Sequence, residues 1–480
     1  MNKNYPVIFF AGLLFIFLGG DGCRSQRSQG IPAALQSVID PRQPESVAID
    51  MPEDPTDSVY LDLTWRHAVM SFYHQRDYAP AWSHNQANTG SSDSMVWIIR
   101  NARYAGLHAA YYRFQEITSR HTVRTPENLM RTDALLTDAF LSVASDLKYG
   151  RSPSPPAKDS LLVSLLQRAL VQRALVGILT SQEPRCSGYW DLKKALRTLL
   201  DTAREDVAGE RLAGEVKYAP ATDATVRLLA VNLERWRTVC TYPETPRCIR
   251  INIPSFMLEV IDDDSVVLES RVIVGALKTP TPELSSRVDC VIFYPYWHVP
   301  RKISVEEFLP AIKNDTSFIG RNNFDVLDRA GNVLSTDSIP WKKFSKNYFP
   351  VVLRQRDGSE NSLGIVKFNF DNPYAIFLHD TNAKRLFKSK TRAFSHGCIR
   401  MERALELAKY LMGSESEEGG DEADRIIKQR QRRSISLAHP IMLQVCYFTC
   451  EVKNGRLLQY PDLYGRDRGL ESLLFADLTF

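Results

Sequence analysis

The chain has 480 residues, 44% apolar and 24% charged, which is enough for two or three folded domains and excludes a mainly disordered protein. Its 60 Lys and Arg stand against 56 Asp and Glu, a net charge of +4, so composition gives no case for nucleic-acid binding. The basic excess is at most a mild help toward an anionic polymer.

Lys3 is followed by an almost unbroken apolar run over 7–18, then by Gly19, Gly20, Asp21, Gly22 and Cys23, the layout of a secretory signal. The run is short for a bilayer span. Small residues ahead of Cys23 suggest a lipoprotein signal with that cysteine lipidated, but Asp21 lies within the processing site and Gly20 stands where such signals usually carry Leu. Lipidation of Cys23, simple cleavage and an uncleaved anchor all stay open. Each takes the chain out of the cytoplasm, into the periplasm, with membrane association through the N-terminus as one outcome. Residues 24–57, rich in Ser, Gln, Pro and acids, read as a tether.

From 59 to 236 the apolar residues recur at three- and four-residue steps, predicting helices over 61–73, 95–104, 129–149, 161–179, 189–202 and 225–236. After Trp236 the period becomes alternating. Ile249, Ile251 and Ile253 predict a strand, and the runs 256–261 and 266–274 about the turn-like Asp262-Asp263-Asp264-Ser265 predict a hairpin. Thr279-Pro280-Thr281-Pro282 cannot continue a ladder and reads as an extended connector. Ser304 to Glu307 has the spacing of a capping box. The polar stretch 314–347 is poorly periodic. Strand-like runs return at 349–353, 365–370, 375–379 and 440–450, and the charged stretch 414–433 reads as a surface insertion. Of eight cysteines, Cys240 and Cys248 flank a Pro-containing loop and are a candidate disulfide, with unpaired thiols the alternative. Cysteine spacing and the lack of clustered His give no zinc-site pattern, and no metal or cofactor is expected.

One stretch carries chemistry. Ser395-His396-Gly397-Cys398-Ile399-Arg400 places a thiol beside an imidazole, a glycine and a guanidinium, just ahead of an amphipathic helix marked by Ala404, Leu405, Leu407, Ala408 and Leu411 and closed by Gly413. A helix N-terminus with His396 and Arg400 nearby should favour thiolate over thiol at Cys398. Gly397, lacking a Cβ, lets a carbonyl approach backbone N–H donors. A buried cysteine next to a chance histidine is the bland reading of this stretch. Upstream, Ala375-Ile376-Phe377-Leu378-His379-Asp380-Thr381 reads as a strand ending in a histidine, where a base can be held rigidly.

Together these two stretches resemble the L,D-transpeptidases of bacterial cell walls, whose signature is an upstream His followed by Ser-His-Gly-Cys and a basic or amide residue. The resemblance is supported by Tyr294-Pro295-Tyr296-Trp297-His298-Val299-Pro300, Leu353-Arg354-Gln355, Asn361-Ser362-Leu363-Gly364 and Lys367-Phe368. It is weaker in the helical half, at Tyr78-Ala79-Pro80-Ala81-Trp82 and Asn232-Leu233-Glu234-Arg235-Trp236. It implies an α+β protein: a signal or lipoprotein-like segment (1–23), a linker (24–57), an α-helical scaffold (58–240) and a mostly β catalytic domain (241–480) with a lid inserted at about 301–348. Between 202 and 225 there is too little chain for the three-helix peptidoglycan-binding repeat that many members carry.

The resemblance also implies roles. Cys398 would be the nucleophile and His379 the base. Gly397, His396 and Ser395 would shape the oxyanion site, and Arg400, Trp297 and Phe377 would meet substrate, although for Trp297 a core position competes with that role. The family often has Tyr where Phe377 stands, so a hydroxyl is absent there. The implied partner is the peptidoglycan stem peptide, joined between third residues through a Cys thioester, in a family typically acylated by carbapenems. Carboxypeptidase or D-amino-acid exchange activity on the same acyl-enzyme, and a non-catalytic wall-binding scaffold, are the alternatives. A binding scaffold needs neither Cys398 nor His379. A papain-like or endopeptidase Cys/His hydrolase usually has the cysteine first, whereas here the histidine precedes it.

Overall fold

The computed structural model describes residues 50–480 apart from 55, 85–86, 153–158, 211–219, 241–246, 264, 414–418, 477 and 479–480. The signal-like segment with Cys23 and most of the expected tether lie outside the described residues.

Helical periodicity yields α1 (Arg66–His74), α2 (Gly90–Arg100), α3 (Phe114–His121), α4 (Pro126–Tyr149), α5 (Asp159–Val171), α6 (Leu175–Thr180), α7 (Ser187–Glu210) and α8 (Pro220–Val239), with the short strands β1 (Ser83–His84) and β2 (Ala87–Asn88) ahead of α2. The single helix expected over 161–179 is two, because Arg173 takes a left-handed φ of +50° that no helix continues. Thr125 caps α4 and Pro126 opens it. Other elements surround α4, so even Asp133, Asp138 and Asp146 are buried and must find donors. Asp133 accepts the N–H groups of Ala81 (2.7 Å) and Trp82 (3.0 Å) and the Tyr73 hydroxyl (2.8 Å), and Asp138 accepts the Trp65 N–H (2.7 Å). α4 thus fixes the loops before and after α1.

The alternating half forms β3 (Arg247–Asn252), β4 (Met257–Asp262), β5 (Ser265–Gly275) and β6 (Leu284–Phe293); then β7 (Trp297–His298), β8 (Phe324–Leu327) and β9 (Val352–Gln355); then β10 (Val366–Phe370), β11 (Leu378–His379), β12 (Ala393–Ser395), β13 (Ile399–Met401), β14 (Arg433–Cys446), β15 (Cys450–Lys453) and β16 (Arg456–Gln459). The main sheet runs β12-β5-β13-β11-β10-β6-β14-β3-β4, and β4 pairs back onto β5, closing the sheet on itself. Val291, Phe293, Val366, Phe368, Leu378 and Ile399 fill one side with the apolar face of a helix. That helix is α12 (Ala404–Gly413).

That segment, between β7 and β9, opens after Pro300. α9 (Arg301–Ile303) passes through a π turn at Ser304–Phe308 into α10 (Leu309–Asn314), followed by α11 (Phe318–Arg321). Ser304 is therefore not a cap. It lies inside the helical run, and its Oγ bonds back to the Pro300 carbonyl (3.2 Å). The stretch that looked poorly periodic has its own apolar centre of Ile312, Val326, Trp341, Phe344 and Leu353, beside the small sheet β7-β9-β8. Elements this short show no period. Downstream come α12 (Ala404–Gly413), α13 (Gly419–Gln429) and α14 (Asp467–Phe475). The charged stretch expected as an insertion contains α13, whose Ala423 and Ile426 reach the main core.

α8 joins the two halves. Its Trp236 stacks on Phe448 (centroids 4.3 Å apart), Asn232 exchanges hydrogen bonds with Thr449 (2.8 and 2.9 Å), and Arg235 pairs with Asp467 (2.6 Å). Facing the helical half, Arg237 is fully buried and paired with Glu234 (2.8 Å). Cys240, at the end of α8, is bonded to Cys186 ahead of α7, and Cys248 is free, which corrects the candidate pairing of Cys240 with Cys248. Neighbours in the chain were paired on reach, but the packing of α7 on α8 brings a distant partner nearer.

Candidate active site

Cys398 does not approach a helix. It sits in the turn from β12 to β13, and α12 begins only at Ala404. Gly397 has φ +112°, a backbone state that a side chain strongly disfavours, and this lets the turn reverse within so few residues. Ser395 holds it shut: its Oγ accepts the Gly397 N–H (3.1 Å) and donates to the Cys398 carbonyl (2.5 Å). The Gly397 N–H, expected as an oxyanion donor, is thus occupied inside the turn. The connector between β5 and β6 braces it from below. Thr279 Oγ1 donates to the Ser395 carbonyl (2.9 Å), Thr281 Oγ1 donates to the Gly397 carbonyl (2.9 Å), and Thr281 Oγ1 in turn accepts the Gly275 N–H (2.8 Å). The prolines end the ladder, and the threonines that alternate with them support the turn that carries Cys398.

β13 lies beside β11 in parallel register, Leu378 opposite Ile399 and His379 opposite Arg400. Phe377, one step back, accepts the Ile399 N–H (2.9 Å) and stands next to Cys398. The strand expected over 375–379 is shorter than its apolar run, since Ala375 has φ +52° and pairing starts only at Leu378. His379 is buried, and its Nδ1 donates to the Asp380 carbonyl (2.5 Å), leaving Nε2 as a proton acceptor. Burial first, then the Arg400 and Lys367 charges, pull its pKa down to about 3, so the imidazole is neutral.

Burial also pushes the Cys398 thiol up, against a backbone hydrogen bond from Phe377 and the charges of Lys367 and Arg400. The expected resting thiolate is therefore overturned: there is no helix terminus at the sulfur, and desolvation outweighs the cations. The pair rests as neutral thiol and neutral imidazole.

Asp380 is turned away from the sulfur. Its Oδ2 accepts the Ile365 N–H (3.0 Å) and its Oδ1 is paired with Lys384. His396 is exposed, and its Nε2 meets Glu307 Oε1 (2.5 Å) in the π turn of the 301–348 segment. Trp297 packs against Phe308 and Phe324 (centroids 6.0 and 6.4 Å), inside the aromatic cluster of that segment. Phe377 lies under Lys367, whose Nζ is 3.5 Å from the ring centroid. Lys367, opposite His379 on β10, is the residue of this site that sequence reasoning passed over. The signal available was its place in the Lys367-Phe368 pair, where an inward Phe on a strand puts its neighbour on the opposite face.

Comparison with known proteins gives five findings. The profile of the L,D-transpeptidase catalytic domain, YkuD, matches residues 246–426, and that of the Scaffold domain matches 67–196. A Haemophilus influenzae (strain ATCC 51907 / DSM 11121 / KW20 / Rd) protein named "Putative L,D-transpeptidase" is 30% identical over 416 residues, covering 85% of this chain and 79% of that protein. An L,D-transpeptidase structure from Mycobacterium smegmatis is 13% identical with a TM-score of 0.20, over 42% of this chain and 58% of that one. The structure titled "Structure of the Ldtfm-avibactam carbamoyl enzyme" is 11% identical with a TM-score of 0.19, over 43% and 51%. At those TM-scores the two structural likenesses carry nothing further.

Proposed function

The chain belongs to the L,D-transpeptidase family, and on that footing we propose that it cross-links peptidoglycan stem peptides between their third residues through a thioester on Cys398. The observation that carries the reading is a neutral histidine with a free Nε2 on the strand beside the nucleophile's turn. A base must be unprotonated to accept a proton, and His379 is so across the physiological range.

Cys398 Sγ attacks the carbonyl carbon of the third stem residue while its proton passes to His379 Nε2. The oxyanion meets the Cys398 N–H. As the bond to the terminal D-Ala breaks, His379 returns the proton to the departing amine, leaving a thioester. The side-chain amine of a second stem attacks that thioester, gives its proton to His379, and the sulfur leaves and is reprotonated. One peptide bond breaks and one forms, so no oxidant or cofactor is needed. The 301–348 segment would act as a lid, and the enzyme would work at the cell wall after export, with Cys23 as a candidate anchor.

Incubation with disaccharide-tetrapeptides followed by mass spectrometry tests this. A cross-linked dimer with loss of one D-Ala is expected from the wild type and not from Cys398→Ser. Tripeptide alone, or an exchanged terminal residue, would transfer the reading to carboxypeptidase or exchange activity. No product and no acyl adduct would leave a wall-binding scaffold.

A further inference from the structure

The face of the barrel that bears Cys398 carries more positive charge than the thiol accounts for. His379 faces Arg400 on β13 at one side and Lys367 on β10 at the other, all in register on one face. Among the described residues neither cation has an acid at ion-pair distance, because the acids nearby are committed elsewhere: Asp380 to Lys384, Glu402 to Arg271 and Glu307 to His396. The Arg400 Nε is buried without a partner, and the Lys367 ammonium has the Phe377 ring beneath it. Burial pulls the pKa values of both cations below their ordinary range. The sulfur does not offset them, since burial keeps it protonated. Two cations half out of water without a counter-charge are an unfavourable arrangement that an arriving anion relieves.

We propose that Lys367 and Arg400 together seat a carboxylate of the donor peptide, holding the chain against the face that bears Cys398 and His379. The inference rests on the stem-peptide reading above and names what is recognised in that peptide. Their two strands are separated by β11, so the backbones stand about 10 Å apart. Both side chains are long enough to converge over His379 and grip an anion lying across it. The carboxylate can be that of the terminal D-residue or one within the stem, and the chemistry is the same.

A second effect follows for the base. The charged groups around His379 are Arg400 from β13, Lys367 from β10 and Asp380, already tied to Lys384, and the protonated Cys398 thiol lies in the turn ahead of β13. An anion on the two cations offsets the charge that disfavours imidazolium, so His379 accepts the thiol proton more readily once the peptide is in place.

The test uses the full chain with Cys398→Ala, which binds without turnover, and three tetrapeptides: the free acid, the terminal amide and the internal amide. Calorimetry should show the free acid binding about 10- to 100-fold more tightly than one of the amides, the ratio for a charge-assisted pair, and which amide loses affinity identifies the carboxylate. Adding Lys367→Met should close that gap, and Lys367→Arg should keep most of it. Equal affinity for acid and both amides, a gap that survives Lys367→Met, or no measurable binding of the free acid overturns the proposal. A slower alkylation by iodoacetamide of Lys367→Met with Cys398 intact, the gap being unchanged in the Cys398→Ala background, would assign the lysine to the thiol instead. Acyl transfer by the wild type without an acid–amide gap sinks the seat and leaves the reaction. A gap without acyl transfer sinks the reaction and leaves the seat.

Discussion

Gly364 lies so close to Asp380 that a methyl group on it would come within 2.2 Å of the carboxylate oxygen Oδ2. It also has φ +62°, so only glycine satisfies both the turn and the contact. Asp380 holds the backbone of Ile365 and is the chain neighbour of His379, so this contact sets where β10 and β11 stand relative to each other. Gly364→Ala should therefore destabilise the protein by about 2 kcal/mol or more and slow acylation as well. Urea denaturation and adduct formation followed by intact mass check both, and a variant as stable and as fast as wild type would refute the constraint.

His379→Ala should slow acylation of Cys398 by about 10²-fold or more, the ordinary contribution of a positioned base. His298, exposed on β7 and opposite Arg354, makes the control, and His298→Ala should stay within a fewfold. Circular dichroism of both variants separates lost chemistry from lost fold. Equal losses at the two positions would contradict the assignment.

His379 also predicts an acid dependence of stability. Its folded pKa is about 3 against 6.5 for the free side chain, so between those values the unfolded chain binds a proton that the folded chain does not. Stability is then complete above about pH 6.5 and is lost as pH falls toward about 3. At pH 5 this one group should remove about 2 kcal/mol relative to pH 7. His379→Gln, uncharged throughout, should flatten that part of the profile. An unchanged slope between pH 7 and 5 would show that His379 is not buried neutral.

Glu307 and His396 tie the 301–348 segment to the turn two positions from Cys398, with both side chains nearly half exposed. Such a pair contributes at most about 1 kcal/mol to stability, yet it must open if the segment moves off the turn. Glu307→Gln should leave the denaturation midpoint nearly unchanged and raise the acylation rate about two- to fivefold. Slower acylation would mean that the contact positions the loop.

The residues whose meaning is local were legible in the sequence. Cys398 and His379 stand at the ends of short motifs, and the helical and alternating halves announce themselves by period. For Lys367 only its face of β10 was legible, from the inward Phe368 beside it; that it stands opposite His379 depends on the register of β10, β11 and β13, which no run of residues encodes. The state of Cys398 was misread for a related reason: a helix near in sequence suggested thiolate, while the number of groups excluding water from the sulfur is a property of the whole fold. α13 was hidden by its charges, since Ala423 and Ile426 are its small share of the core.

The placement of α8 bears on how the molecule can come apart. Trp236 and Asn232 are built into the β half as firmly as Arg237 is built into the helical one. A fragment cut between α8 and β3 would leave Phe448, Cys446 and Cys450 uncovered on one piece, and Trp236, Asn232 and the buried Arg235 guanidinium without their partners on the other. Each half keeps a core of its own, but the interior shared across α8 belongs to neither alone, so the boundary that looks natural in the sequence is one whose cutting exposes apolar surface on both pieces.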